Sequence, residues 1–267
     1  MINFANNMSL KKKFIIPIVG AFFLLIFSDS RLKAQAKKDL KDSIMGLSMI
    51  KMHATYNLSM ADLSKRFGNS FSLGASFSRK TKKNYIWGLD AGFITGSNVK
   101  ESNMLDGLYT GDAFIIGNDG TLYDVRMMMR GWLFNGRIGK IFPVFGPNKN
   151  SGIMLHTGAG LLQHKVRFEF ERNELPQLTP EYRKGYDRLA NGLNLQQFIG
   201  FFHLSNRNLW NYYFGLEFNH AITEGRRSYQ FDLMAPETGQ RLDQMLSFRF
   251  GWVIPLYKKL PPDFYFF

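Results

Sequence analysis

Long runs in which apolar side chains alternate with small or polar ones constrain this chain more than any other feature. Period two is the period of extended backbone, because successive side chains of a strand point to opposite faces. From Phe67 to Ser78 the odd positions Phe67, Phe71, Leu73, Ala75 and Phe77 are apolar. The even positions Gly68, Ser70, Ser72, Gly74, Ser76 and Ser78 are small or polar. From Tyr85 to Gly96 the apolar face is Tyr85, Trp87, Leu89, Ala91 and Phe93. From Trp210 to Ile222 it is Trp210, Tyr212, Phe214, Leu216, Phe218 and Ile222, and from Leu246 to Leu256 it is Leu246, Phe248, Phe250, Trp252, Ile254 and Leu256.

A soluble sandwich alternates too, so three details carry the choice. The polar faces hold Gly, Ser and isolated charges (Asp90, Glu217, Arg249), which suits a confined lumen. Large aromatics stand near the ends of the apolar faces, as interfacial girdles require. The runs last about 10–14 residues, beyond the ~5–6 of globular strands and matched to a tilted crossing of a bilayer. No apolar stretch reaches the ~18–20 residues of a transmembrane helix. At 45% hydrophobic and 15% aromatic the chain is too apolar for disorder. With no Cys, a disulfide scaffold, a Cys-ligated zinc and a thiol nucleophile are excluded. In hydrocarbon every N–H and C=O must pair within the protein, and a sheet manages that by closing on itself.

Eight strands are predicted, at roughly 44–58, 67–80, 84–97, 123–142, 151–170, 191–205, 209–223 and 242–257. Short turns (80–83, 145–150, 205–208) alternate with long connections (98–122, 171–190, 224–241), and only the connection at 59–66 breaks this alternation by being short. The reading is an all-β, eight-stranded antiparallel up-and-down transmembrane β-barrel of the cell outer membrane of a Gram-negative bacterium. Its long loops lie outside and its tight turns in the periplasm.

The first segment reads as a cleavable signal peptide, 1–36. Lys11, Lys12 and Lys13 precede the apolar stretch Phe14–Phe27, and Ala34-Gln35-Ala36 is a small-x-small cleavage pattern. Removing this segment takes +4 from the net charge of +13 and leaves +9 on residues 37–267. Outside the cytoplasm nucleic acid is a poor partner for that charge; the anionic phosphates of outer-membrane lipid and lipopolysaccharide suit it better. The tail 258–267 ends in Phe264-Tyr265-Phe266-Phe267. Pro261 and Pro262 separate it from the last strand, since neither fits a ladder.

The chain resembles the small outer-membrane β-barrel proteins of Bacteroidota. Asp62-Leu63-Ser64-Lys65-Arg66-Phe67-Gly68, Gln163-His164-Lys165, Lys184-Gly185-Tyr186-Asp187-Arg188-Leu189 and Gly251-Trp252-Val253-Ile254-Pro255-Leu256-Tyr257 carry the likeness. The group mostly lacks an assigned activity, so the resemblance brings no catalytic residues with it. It implies a structural or accessory subunit of an outer-membrane assembly for secretion or protein insertion, with a protein partner at the loops and tail.

Three constellations hold chemistry. His203-Leu204-Ser205, with Glu217 downstream, is similar to the His-x-Ser and Glu of lipid A 3-O-deacylases. There His203 would be base, Ser205 nucleophile and Glu217 orienter. Against this, Ser205 falls in a predicted periplasmic turn and Glu217 near mid-barrel. The lumen charges Lys51, Asp90, Glu217 and Arg249, with Arg137 beside them, are expected to pair as a plug, because an eight-stranded barrel is only wide enough for side chains. A narrow channel is the alternative reading. In the loops Tyr182, Arg183, Lys184, Tyr186 and Arg188, and Arg226 and Arg227 ahead of Tyr229 and Phe231, form basic–aromatic groups suited to lipid phosphate or a docked protein. The histidines are scattered and no phosphate-cradling loop is present, so neither a metal nor a cofactor is indicated.

Overall fold

The computed structural model describes residues 44–110, 114–170, 175–206 and 210–256. The leader at 1–36 and the tail at 258–267 lie outside them. Eight strands close into one antiparallel barrel: β1 (Leu47–Met60), β2 (Ser70–Lys80), β3 (Tyr85–Gly96), β6 (Arg126–Phe142), β7 (Gly152–Glu169), β8 (Ala190–His203), β9 (Tyr212–Gly225) and β10 (Gln240–Leu256). Each pairs with its neighbour in sequence, and β1 pairs with β10 from Ser48↔Leu256 to Met60↔Gln244. That last ladder removes both edges, so the sheet offers no unpaired row of backbone groups.

The remaining elements sit in the connections. Helix α1 (Ala61–Arg66) follows β1 directly, a two-residue hairpin pairs β4 (Ile115–Ile116) with β5 (Leu122–Tyr123), and 3-10 turns occupy Ser102–Leu105, Pro176–Leu178 and Tyr182–Gly185. The connection 59–66, expected to be a short loop, is thus the end of β1 and a helical turn.

Alternation resolves into inside and outside as expected. Phe71, Phe214 and Phe250 point outward, 60%, 49% and 53% exposed, while their neighbours Ser70, Ser72, Tyr213 and Arg249 are buried. One belt row runs across the wall through Met52, Ala75, Ala91, Phe134, Leu161, Leu193 and Ile222, each opposite the next on adjacent strands. So large an apolar surface is stable only against acyl chains. A closed antiparallel barrel with such a belt has the architecture of outer-membrane proteins.

Two expectations need correction. Phe67 does not continue the outward face. Strand β2 begins at Ser70, and Phe67, fully buried, bridges Val99 and packs edge-on against His164 at 5.5 Å inside the barrel. The helical turn of α1 ends just before it and resets the register. The lumen is also not polar throughout. Leu63, Phe67, Ile94, Met129, Leu162 and Met245 belong to an apolar cluster at the loop end. Met49, Ile86, Ile141, Met154, Phe202 and Val253 belong to a second at the turn end.

Replacing Leu195 by Arg puts a charge into the belt near mid-strand. Unfolding by urea in lipid vesicles is expected to show a loss of about 2–4 kcal/mol. The same substitution at exposed Lys184 in the loops is expected to have no measurable effect.

Candidate functional site

Between the two apolar clusters lies a layer of buried charge. Arg249 on β10 serves both carboxylates: Nη2 donates to Glu217 Oε1 at 2.8 Å and Nη1 to Asp90 Oδ2 at 3.3 Å. Arg137 on β6 contacts the other oxygen of Asp90 and stands 3.8 Å from Glu217. Asn219 donates to Glu217 at 3.1 Å, and His53 Nδ1 lies 3.6 Å from Asp90. All five charged or imidazole groups named here are buried. Glycines on the adjacent strands make room for the large inward side chains at this level. A Cβ at Gly74 would meet His53 Nε2 at 2.5 Å, and one at Gly251 would meet the Tyr213 ring at 2.3 Å.

Of the expected lumen charges, the structure brings Asp90, Glu217, Arg249 and Arg137 into contact. Lys51 departs from expectation. It is buried in the same layer but has no ion pair among the described residues, and its ammonium lies 5.2 Å from the centroid of the Tyr213 ring. The layer thus holds Lys51, Arg137 and Arg249 together with Asp90 and Glu217. Apolar clusters above and below it oppose a continuous file of water, as a hydrophobic constriction does.

A second ionic web ties the loop end together. Arg66, at the end of α1 and 1% exposed, donates to Glu101 at 3.0 Å, to Glu237, and to the carbonyl of Arg188 at 3.3 Å. Arg188 in turn pairs with Asp232 and, at 3.3 Å, with Glu101. Arg227 grips Asp187 with two nitrogens at 2.8 and 2.6 Å. Below this, Asp243 accepts from Thr223 at 2.5 Å and shares a 2.8 Å contact with His164. Asp62 fastens α1 to β10 by accepting the Leu242 N–H at 3.0 Å. Its bond to Lys65 first, and this backbone bond second, hold its carboxyl below the ordinary range. Every connection at this end is thus joined to another by a charged contact.

This web changes the role of the loop arginines. Arg188 and Arg227, expected to meet lipid phosphate or a docked protein, are committed to Asp232, Glu101 and Asp187. Arg183 donates to the carbonyl of Leu178 at 2.6 Å and covers the Phe170 ring at 4.8 Å. Lys184 and Arg226 remain exposed. Tyr186, Tyr182 and Tyr229 gather around Phe231, with centroids 5.3, 6.1 and 5.8 Å away. The Phe231 ring occupies the space where any Cβ at Gly185 would be, 2.1 Å from its atoms.

The deacylase-like set does not assemble. His203 stacks on Tyr212 at 4.8 Å at the end of β8, and Ser205 follows in the turn, its N–H bonded to Asn211 Oδ1 at 2.8 Å. Glu217 pairs across with Phe198, five residues from the level of His203, which is about 17 Å along a strand. It also faces the lumen, where Arg249 holds it, while His203 lies on the outward set of β8. Arg66, Glu101, Glu237 and Asp243 were not singled out by sequence reasoning. Only the stretch Asp62–Gly68, quoted for the family likeness, pointed near them. Among the described residues no group of three or more His, Cys, Asp or Glu converges as a metal site would.

No protein-family profile and no curated protein matches the sequence. Among solved structures the chain is similar to Neisserial surface protein A, at 9% identity and a TM-score of 0.42, covering 78% of this chain and 96% of that one. It is also similar to Ail, the attachment invasion locus protein of Yersinia pestis, at 10% identity and 0.38, covering 78% and 99%. A major outer membrane protein from Thermus thermophilus matches at 9% and 0.36, over the same shares. Likenesses this distant leave the barrel to rest on its own closed ladder of strand pairs.

Substituting Arg249 by Met leaves Glu217 with Asn219 and a 3.8 Å approach of Arg137, and takes one of two arginines from Asp90. Equilibrium unfolding is expected to show a loss of about 3–5 kcal/mol, whereas exposed Arg226→Met is expected to cost under about 0.5 kcal/mol.

Proposed function

We propose that this chain is a non-enzymatic outer-membrane barrel that presents a rigid, pre-formed external surface to a protein partner. It would act as a structural or accessory subunit of an outer-membrane assembly. The observation that carries this reading is the stitched cap. Buried Arg66 and Arg188 hold α1, the 97–125 connection and the 226–239 connection in one arrangement. Buried ion pairs contribute little net stability compared with apolar packing, and their best-attested use is to fix one geometry. Arg188 keeps a left-handed φ of 49° within this web, and Met234 one of 50° at the loop tip. Strain of this kind survives only where the surroundings over-determine it, and it collects at functional places.

Outside the web stands what such rigidity would present. Tyr182, Tyr229, Leu233 and Met234 are exposed, Met234 by 76%, with Lys184 and Arg226 near them in sequence. Aromatic, Met and Arg side chains at the surface are the composition of interface centres. The resemblance to small Bacteroidota barrels fits the same role, and a secretion or protein-insertion assembly is the kind of complex it would serve. The alternatives have less support: the His203, Ser205 and Glu217 side chains stand apart, and the lumen is packed at both ends.

The test is co-purification in mild detergent from the native cell. Leu233→Asp combined with Met234→Asp is expected to leave the barrel folded, judged by its heat-modifiable gel mobility. Recovery of the co-purifying protein should fall at least ten-fold. Recovery of wild-type barrel with no protein partner at all would contradict the proposal.

A further inference from the structure

We infer that the turn end of the barrel carries a binding site for an anionic phospholipid of the periplasmic leaflet. Arg79 and Lys140 hold its headgroup phosphate, and one acyl chain lies in a groove on the outer wall of β2, β3 and β6. The inference is independent of the external docking surface, which lies at the other end of the barrel.

Charge comes first. At the loop end cations meet acids: Arg66, Arg188 and Arg227 pair with Glu101, Glu237, Asp232 and Asp187. The turn end has no such balance. Among the described residues no Asp or Glu stands in 44–50, 76–88, 138–155, 199–206, 210–215 or 250–256, whereas Arg79, Lys80, Lys82, Lys83, Lys140 and Lys149 do. Lys80 points inward and donates to the Met45 carbonyl at 3.0 Å and to Asn150 Oδ1 at 2.8 Å. The other five reach the surface, and none has an ion pair among the described residues. A cluster of unpaired cations at a membrane surface attracts anionic headgroups.

Position comes second. The register sets the outward residues of β2, β3 and β6 in rows. Phe77, Leu89 and Gly136 form one row, and Arg79, Trp87 and Ile138 form the next toward the turns. Tyr85 and Lys140 face each other in the row after that. Successive rows are two residues apart, about 7 Å along a strand. The Lys140 ammonium lies 5.0 Å from the centroid of the Tyr85 ring and 5.4 Å from that of Phe142. A cation among aromatic rings at the end of an apolar belt marks the level where hydrocarbon gives way to headgroups. Arg79 and Lys140 thus flank β3 at phosphate height, with Lys82 and Lys83 in the adjoining turn.

Shape comes third. On the mid-barrel side of these cations, the same three strands hold a groove of about 710 Å³. Ala75, Ala91 and Gly136 form its floor, and Phe77, Leu89 and Phe134 rise around it. A Cβ at Gly136 would meet only the Ala159 carbonyl, at 3.8 Å, so the floor is open there. An apolar slot that runs into a basic rim fits a molecule with a hydrocarbon chain and an anionic head. A zwitterionic headgroup would bring an ammonium of its own into the same positive field. Lipopolysaccharide belongs to the opposite leaflet, at the loop end.

The experiment uses the full chain with Trp132, Trp210 and Trp252 each changed to Phe, so that Trp87 alone reports. The barrel is placed in phosphatidylcholine bilayers with a small fraction of phosphatidylglycerol or phosphatidylcholine brominated near the head of one chain. The binding constant of brominated phosphatidylglycerol relative to brominated phosphatidylcholine, read from Trp87 quenching, is expected to be about 25, roughly five-fold for each flanking cation. Arg79→Gln combined with Lys140→Gln is expected to lower it roughly ten-fold or more. Gly136→Leu fills the groove and leaves every charge, and is expected to remove most of the quenching seen at a low fraction of phosphatidylglycerol. Equal quenching of Trp87 by the two brominated lipids would overturn the inference. Undiminished quenching in Gly136→Leu would also overturn it, because the headgroup would then be attracted without a seated chain.

Discussion

Closure of the sheet is the constraint on which everything else depends. A backbone in hydrocarbon has no water to satisfy it, and an open sheet would leave two rows of unpaired groups, each costing several kcal/mol on the usual scale. Pairing of β1 with β10 removes both rows. Once the ring is closed, each strand has one side facing acyl chains and one facing a space only side chains wide. Period-two alternation follows, as do the inward glycines that admit His53 and Tyr213.

The same closure explains why charge is used inside. Eight strands leave no room for a broad water column, so inward polar groups must satisfy one another. Arg249 bridging Glu217 and Asp90 does this in the middle of the barrel. Arg66 and Arg188 do it at the loop end, with Glu101, Glu237 and Asp232. The two webs differ in consequence. The lumen web fills space. The cap web fixes loop geometry and leaves apolar side chains facing out, which is the arrangement a binding surface needs.

The sequence made the barrel legible because alternation reports on one strand at a time. Phe71, Phe214 and Phe250 read correctly for that reason. Phe67 did not, because a single helical turn at 61–66 breaks the register that extrapolation assumes. The plug was partly legible: Asp90, Glu217 and Arg249 stood out as charges on otherwise small, polar faces. Lys51 was assigned a carboxylate partner it lacks, since sequence gives the face of a residue but not its height relative to charges on distant strands. The cap was illegible for a stronger reason. Arg66 meets Glu237 across 171 positions, and loops carry no periodicity from which such a pairing could be inferred. Arg188 and Arg227 accordingly looked like free surface cations.

The most direct measurement is depth-resolved quenching in a background that has no native Cys. Single cysteines at Phe71, Leu73, Phe248 and Phe250 would carry a fluorophore, as would cysteines at the adjacent inward positions Ser72 and Ser247, with the protein in bilayers containing brominated lipid. The account predicts strong quenching at the four outward sites and little at the inward ones, alternating residue by residue along each strand. Uniform quenching along a strand, or labelled Phe71 and Phe250 that respond only to a water-soluble quencher, would contradict it.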